Sequence, residues 1–200
     1  MTSSTSTAVE AGGSAAQRER RTRILDATVT LAREGGFDAV QMREVADQAE
    51  VALGTLYRYF PSKIHLLVSA LSREFDQVEM ISRTQKVPGD TPYDRVMFVL
   101  ERTTRTLQRD PLLTEALTRA FMFADSSVKD EIHEVGMKLT ALIGRTMTGE
   151  LDHEPTQDEE DIVRVIGDVW LASLVGWVTG RQQAEDVLRS MDTAVRLLLR

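Results

Sequence analysis

The sequence predicts an all-α protein of about nine helices, and two observations carry that prediction. Nearly every segment repeats its apolar residues at helical spacing, and no run alternates apolar and polar β-branched residues as a half-buried strand would. The breaks between segments fall at Gly, Pro and capping residues, so short loops join the helices. No repeat at solenoid periods is visible, which favours a compact helical protein over an array.

Met1 to Ala16 is mostly Ser, Thr, Ala and Gly and reads as a flexible N-terminal arm, residues 1–16. Ile24, Ala27, Thr28, Leu31 and Ala32 then follow the i, i+3, i+4, i+7, i+8 pattern of a helix that Gly35-Gly36 stops. A short helix runs from about Gln41 to Ala49, with Met42, Val45 and Ala46 on one face. Another runs from about Ala52 to Tyr59 and ends at Phe60-Pro61. Ser62 is the N-cap of a long helix, to about Met80, that carries Ile64, Leu67, Val68, Leu71 and Phe75 inward. Pro88-Gly89 breaks the chain, and Thr91-Pro92-Tyr93-Asp94 joins a cap, a Pro at the first helical position and an acid at the third. The helix that starts there ends near Asp110-Pro111, which opens the segment Leu112 to Phe123. Ser126 or Ser127 starts a helix to about Thr148, and Thr156-x-x-Glu159 starts one that reaches Thr179. The last, about Ala184 to Leu199, closes on Val187, Leu188, Met191, Val195 and Leu198.

At 200 residues, 42% hydrophobic and 28% charged, the chain has the balance of an ordinary globular protein with one large domain or two small ones. Cysteine is absent, which excludes disulfide scaffolds, thiol catalysis and Cys-ligated metals. The most apolar stretch, Ile162 to Val178, is interrupted by Arg164 and Asp168 and falls short of a membrane span. A cytoplasmic location is expected. The net charge of −7 has a location: up to Phe75 nine basic residues balance nine acidic ones, so all of the excess acid lies beyond it. Arg18, Arg20, Arg21 and Arg23 crowd together where the arm ends. That cluster reads either as a solvated first helical turn or as an arm that faces a polyanion.

The segment from Gln41 to Phe60 carries the chemistry. Two helices of about eight residues joined by a three-residue turn have the dimensions of a helix-turn-helix. Ala46 permits close helix packing, and Val45, Val51 and Leu56 supply the apolar wedge. The second helix then offers Leu53, Gly54, Thr55, Tyr57, Arg58 and Tyr59. Ala at Gly54 would be about 1 kcal/mol better for the helix, so Gly there suits the close approach of another backbone. Thr55 can contact a base edge or methyl, and the Tyr57 and Tyr59 hydroxyls can donate to phosphates. The alternative is that Tyr57 and Tyr59 join Phe60 in an aromatic core cluster, the place expected for Phe60. Lys63, at the start of the next helix, is placed for a phosphate.

Arg23-Ile-Leu-Asp-Ala27, Gly35-Gly-Phe37, Val45-Ala46 and above all Gly54-Thr-Leu-Tyr-Arg-Tyr-Phe-x-x-Lys63 resemble the DNA-binding region of TetR-type transcriptional repressors over about Gln17 to Phe75. Arg18-Glu-Arg-Arg21, Ala39-Val-Gln-Met-Arg43, Pro61-Ser-Lys63, Pro111-Leu-Leu-Thr-Glu-Ala116 and Asp168-Val-Trp-Leu171 are similar to the steroid-catabolism branch of that family. The resemblance implies a helix-turn-helix domain over residues 17–61 and a ligand-binding and dimerisation domain over 62–200. It implies double-stranded operator DNA as partner, contacted by Gln41, Arg43 and the recognition-helix residues with the arm arginines, and a homodimer, with one or two dimers on a pseudo-palindromic operator. Two departures stand out. Glu50 replaces the usual Gly of the turn, a cost of about 1 kcal/mol if its backbone is left-handed. Gln41 replaces a capping Ser or Thr, giving a weaker cap and a longer hydrogen-bonding arm.

The C-terminal part has no cofactor or metal motif and no catalytic constellation. A Gly-rich phosphate loop and Gly-x-Ser-x-Gly are missing, and His65, His133 and His153 lack ligand spacing. Asp158-Glu-Glu-Asp161 reads as a solvated first turn, and His133 as surface. Phe98, Leu117, Phe121, Met122, Met137, Leu142, Trp170, Leu174 and Trp177 either fill a core or line a deformable cavity. The resemblance implies the cavity, with a cholesterol-derived acyl-CoA thioester as inducer. The apolar residues of the last two helices exceed what two surface helices need, so part of them should pair with a second copy. Rival readings are a regulator of the same fold that answers a fatty acyl-CoA or a drug, a helical acyl-CoA enzyme or carrier, and a purely structural helical dimer.

Overall fold

The computed structural model describes residues 4–84, 87–150 and 154–199, with nine α-helices and no strand among them. They are α1 (Ser4–Ala39), α2 (Met42–Gln48), α3 (Leu53–Tyr59), α4 (Lys63–Thr84), α5 (Pro92–Arg109), α6 (Pro111–Met122), α7 (Lys129–Thr148), α8 (Gln157–Val178) and α9 (Ala184–Leu198). A short 3₁₀ turn, Ser126–Val128, precedes α7, so the start expected at Ser126 or Ser127 is a tighter turn first.

The capping signals act as their chemistry requires. Thr91 and Asp94 form a capping box with Pro92 in the first turn of α5, and Thr156 and Glu159 form another on α8. Gly35 and Gly36 break α1 with non-helical backbone, Gly36 at φ +66°. A side chain at Gly36 would press on the Glu115 carboxylate 3.0 Å away, so the break also lets α6 approach. Residues 4–16 of the expected flexible arm are helical, since α1 already begins at Ser4. Ala8, Glu10, Ala11, Ala15 and Ala16 are strong helix formers, and extending an existing helix avoids the cost of a new nucleus. Residues 1–3 lie outside the described residues.

Two apolar clusters organise the molecule. The first joins α1, α2, α3 and α4 to one face of α6, from Ile24, Val45, Leu56 and Leu67 across to Ala116 and Leu117. The second joins α5, α7, α8 and α9 around Val96, Ile143, Ile166, Trp170 and Met191. Phe75 of α4 packs against both, with its ring edge-on to Trp170 at 6.5 Å. The α1–α6 seam is pinned by polar contacts as well. Arg33 pairs with Asp110 at 3.2 Å, the Phe37 N–H donates to Glu115 at 3.0 Å, and Arg119 lies 3.5 Å from Asp38.

Among the described residues no helix is long and apolar enough to cross a membrane. None of their His, Asp or Glu side chains form a group of three or more placed to hold a metal ion.

Candidate functional site

The helix-turn-helix is built on buried Val45 and Ala46 of α2 and buried Leu56 of α3. The Val51 N–H donates to the Ala46 carbonyl at 3.0 Å and closes the turn. Glu50 sits in that turn at φ +53°, the non-glycine residue with positive φ among those described. The turn therefore keeps the left-handed geometry that Gly would adopt without strain, and Glu50 bears about 1 kcal/mol for it. Its carboxylate lies 3.9 Å from Arg23, an exposed and weak pairing.

With Leu56 turned inward, α3 presents its other face to solvent. Gly54 is exposed, and a Cβ there would meet nothing within 4 Å, so no neighbour in this chain requires the glycine. Tyr57 is 46% exposed and Arg58 is exposed, whereas Leu53, Thr55 and Tyr59 are half-buried. Tyr59 leans on Phe60, whose ring is buried in the first cluster beneath the Arg21 guanidinium, 5.1 Å away. Phe60 is thus the core residue its pattern suggests. Tyr57 projects outward, and Tyr59 does some of each.

Gln41 occupies the N-cap position of α2 with no side-chain cap bond, leaving its amide exposed beside exposed Arg43. Arg18, Arg21 and Arg23 are exposed on α1, and Arg20 is half-buried. Lys63 stands at the start of α4 as expected but is half-buried: its ammonium lies 3.8 Å from the Phe37 ring centroid, with Arg119 over the same ring at 4.4 Å. Burial pushes its pKa below the ordinary lysine value, while Asp38 pulls the other way. Beside it Ser62 caps α4, accepting the His65 N–H at 3.4 Å. The His65 ring spans Ser62 and the Ser127 carbonyl at 2.9 and 3.0 Å, fixing the reader end of α4 to the turn before α7.

A cavity of about 750 Å³ opens between α4, α5, α6, α7 and α8. Of the residues expected to line it, Phe98, Leu117, Phe121, Met137, Trp170 and Leu174 do so. Met122, Leu142 and Trp177 do not. Met122 ends α6 on its outer side and is 55% exposed, Leu142 is buried on another face of α7, and Trp177 packs at the edge of the second cluster. The α4 residues Leu71, Phe75 and Val78 also line the space, although Leu71 and Phe75 read from sequence as ordinary core. Helical periodicity marks an inward face but not whether packing or a void lies behind it. Thr118, Arg102 and Arg164 are lining residues with no such signal. His133 is exposed as expected yet lines the cavity, as do the acids Glu160, Asp161 and Asp168.

The last two helices are less uncovered than expected. Trp170, Leu174, Val187, Met191 and Val195 are buried within the chain's own core. The apolar surface left over includes half-buried Leu171, Val178, Leu188 and Leu198 with the more exposed Val165 and Leu197, because α8 and α9 pack on each other and on neighbouring helices.

Residues 24–70 match the model of bacterial regulatory proteins of the tetR family, and residues 89–198, more than half of the chain, match the Tetracyclin repressor-like C-terminal domain. The chain belongs to the TetR family. It is similar to the HTH-type transcriptional repressor KstR of Mycolicibacterium smegmatis, 54% identical over 94% of this chain and 90% of that one. KstR of Rhodococcus jostii is 56% identical over 92% of this chain and 84% of its own. Among solved structures, a TetR transcriptional regulator from Rhodococcus sp. RHA1 superposes with a TM-score of 0.83 at 32% identity, covering 92% of this chain and 97% of that one. The family's two parts thus meet here in one continuous first cluster, since α6 of the C-terminal match packs on α1 and α4, the helices that flank the helix-turn-helix.

Proposed function

We propose that this TetR-family chain is a transcriptional repressor of steroid-catabolism genes. It binds a pseudo-palindromic operator as a dimer and is released by a steroid acyl-CoA thioester. The observation that carries the reading is the α3 face, where Gly54 is open for no internal reason and Tyr57 and Arg58 stand exposed beside it. A phosphate backbone can approach that glycine closely while the tyrosine and arginine donate to its oxygens. Likeness to KstR along nearly the whole chain supports the repressor role, and the steroid ligand follows from the motif resemblance. The residual apolar stripe of α8 and α9 serves a two-fold dimer, placing two recognition helices roughly 34 to 36 Å apart or a simple multiple of that.

The mechanism follows from shared walls. Leu71 and Phe75 of α4 and Leu117 and Phe121 of α6 line the cavity, and the same two helices hold the first cluster under α1, α2 and α3. A ligand that spreads α4 from α6 therefore rotates the reader, and the two half-site helices of a dimer lose their register. Weakening operator binding 100-fold requires about 2.7 kcal/mol of preference for the released state, an ordinary coupling energy. Arg102 and Arg164, the latter paired with Asp161 at 2.8 Å, are the arginines of the cavity lining and mark the side where the CoA phosphates would lie.

Selection of duplexes from a random-sequence pool tests the DNA reading. An inverted repeat is expected, with affinity that falls steeply as salt rises. Replacing Tyr57 or Tyr59 with Phe should weaken that binding. Undiminished binding by Tyr57→Phe, or no sequence enrichment at all, would sink the reading and favour an acyl-CoA enzyme or carrier.

A further inference from the structure

The threonines of this molecule follow a habit, and the exceptions are informative. Along the helices a threonine hydroxyl normally donates to the carbonyl one turn back, as Thr28 does to Ile24, Thr103 to Val99 and Thr146 to Leu142, at 2.7 to 2.8 Å. Among helical threonines whose side chains are described, three lack any hydrogen-bond partner: Thr55, Thr118 and Thr140. Thr55 lies on the DNA-reading helix. Thr118 and Thr140 both line the cavity.

We propose that the Thr118 hydroxyl, with Thr140 as a second polar point, recognises an oxygen on the buried, apolar body of the ligand. This rests on the steroid-thioester reading above. Thr118 is only 7% exposed, and its oxygen is not sealed within the protein, so it opens on the cavity that the residue lines. Its neighbours there, Leu117 and Phe121, are apolar. One turn earlier on the same wall, Thr114 satisfies its hydroxyl on the Leu107 carbonyl at 2.7 Å, so α6 can quiet a threonine that has no other task. Once an apolar body fills the cavity, an unpaired Thr118 hydroxyl is a cost that valine would not carry, and a ligand oxygen placed against it removes that cost. The ligand class this selects is a rigid apolar body bearing a ketone or hydroxyl, such as an oxygenated steroid ring, over an unsubstituted acyl chain. Because Thr118 sits on α6, that bond acts on a helix that holds the DNA reader.

Calorimetry with two CoA thioesters that differ in one ring oxygen, a ring-ketone steroid acyl-CoA and its ring-deoxy analogue, tests the assignment. Stearoyl-CoA serves as a plain-chain probe, and thermal melting with ligand-free operator binding checks the fold of each variant. The unaltered chain should favour the ketone about tenfold, Thr118→Val should lose most of that preference, and Thr140→Val a smaller part. Thr118→Ser, which keeps the hydroxyl, should retain it. A preference that survives Thr118→Val, or equal binding of both steroids to the unaltered chain, overturns the assignment and leaves the steroid ligand standing. Binding of stearoyl-CoA with neither steroid overturns the ligand reading and the assignment together.

Discussion

The two apolar clusters differ in what they are made of, and the difference separates rigidity from adaptability. The first, under the DNA reader, is built from small and branched residues with nothing to spare: Ala27, Ala32, Ala46, Ala49, Val45 and Leu56 are all buried, most of them completely. The second contains Met97, Met147, Met191 and Trp170; Trp170 lines the 750 Å³ cavity, and so do Leu117 and Val135 of the first, so the space lies between the two. Close-packed small residues transmit a displacement as a unit, whereas flexible thioethers behind a cavity wall let that wall yield. A ligand therefore presses on both clusters, deforming the second and moving the first.

Truncation should separate the two clusters most strongly. Leu56→Ala removes a fully buried wedge and should cost about 4 kcal/mol, while Leu174→Ala, beside existing empty space, should cost about 2 kcal/mol. Denaturant unfolding of both variants measures the gap, and equal costs would erase the distinction. Next in size are two changes on the reader that should raise stability by about 1 kcal/mol each. Gly54→Ala meets nothing within 4 Å, and Glu50→Gly relieves a φ of +53°. They should part company in DNA binding: Gly54→Ala loses operator affinity by obstructing the backbone, and Glu50→Gly gains some by removing an acid. A Gly54→Ala variant that binds as well as the unaltered chain would show that the glycine serves no close approach.

The smallest effect lies at the α4–α7 contact. Lys138 reaches Asp76 at 2.6 Å and Glu134 at 2.8 Å, and its hydrogen bond holds the Glu134 carboxyl below the ordinary value. A depressed carboxylate contributes stability that is present above its unfolded pKa and lost as pH falls through the folded one. The stability gap between the unaltered chain and Glu134→Gln should accordingly close as pH drops from about 6 to about 3. A gap constant with pH would remove Glu134 from the acid response.

Local rules made the fold legible. Thr91, Thr156 and Ser62 announce helix starts because capping chemistry involves only neighbouring residues, and the structure places helices behind each. The Gly54 to Lys63 motif was legible for a related reason: its residue types contradict what packing alone would choose. The cavity was harder to read. Leu142 and Leu174 have the same inward periodicity, yet only Leu174 meets empty space, because a void depends on how α5 stands from α4 and α8. Lys63 shows the same limit, since its stacking on Phe37 brings together residues from two helices. The extension of α1 through Ala8 to Ala16 turns on weak propensities that a Ser- and Gly-rich composition obscures.

Operator binding measured by fluorescence anisotropy across a salt series, with and without a saturating ring-ketone steroid acyl-CoA, decides whether the thioester releases the DNA. Sequence-specific binding is expected without the thioester, and about 100-fold weaker binding with it at every salt concentration. Binding that the thioester leaves unchanged would contradict that release.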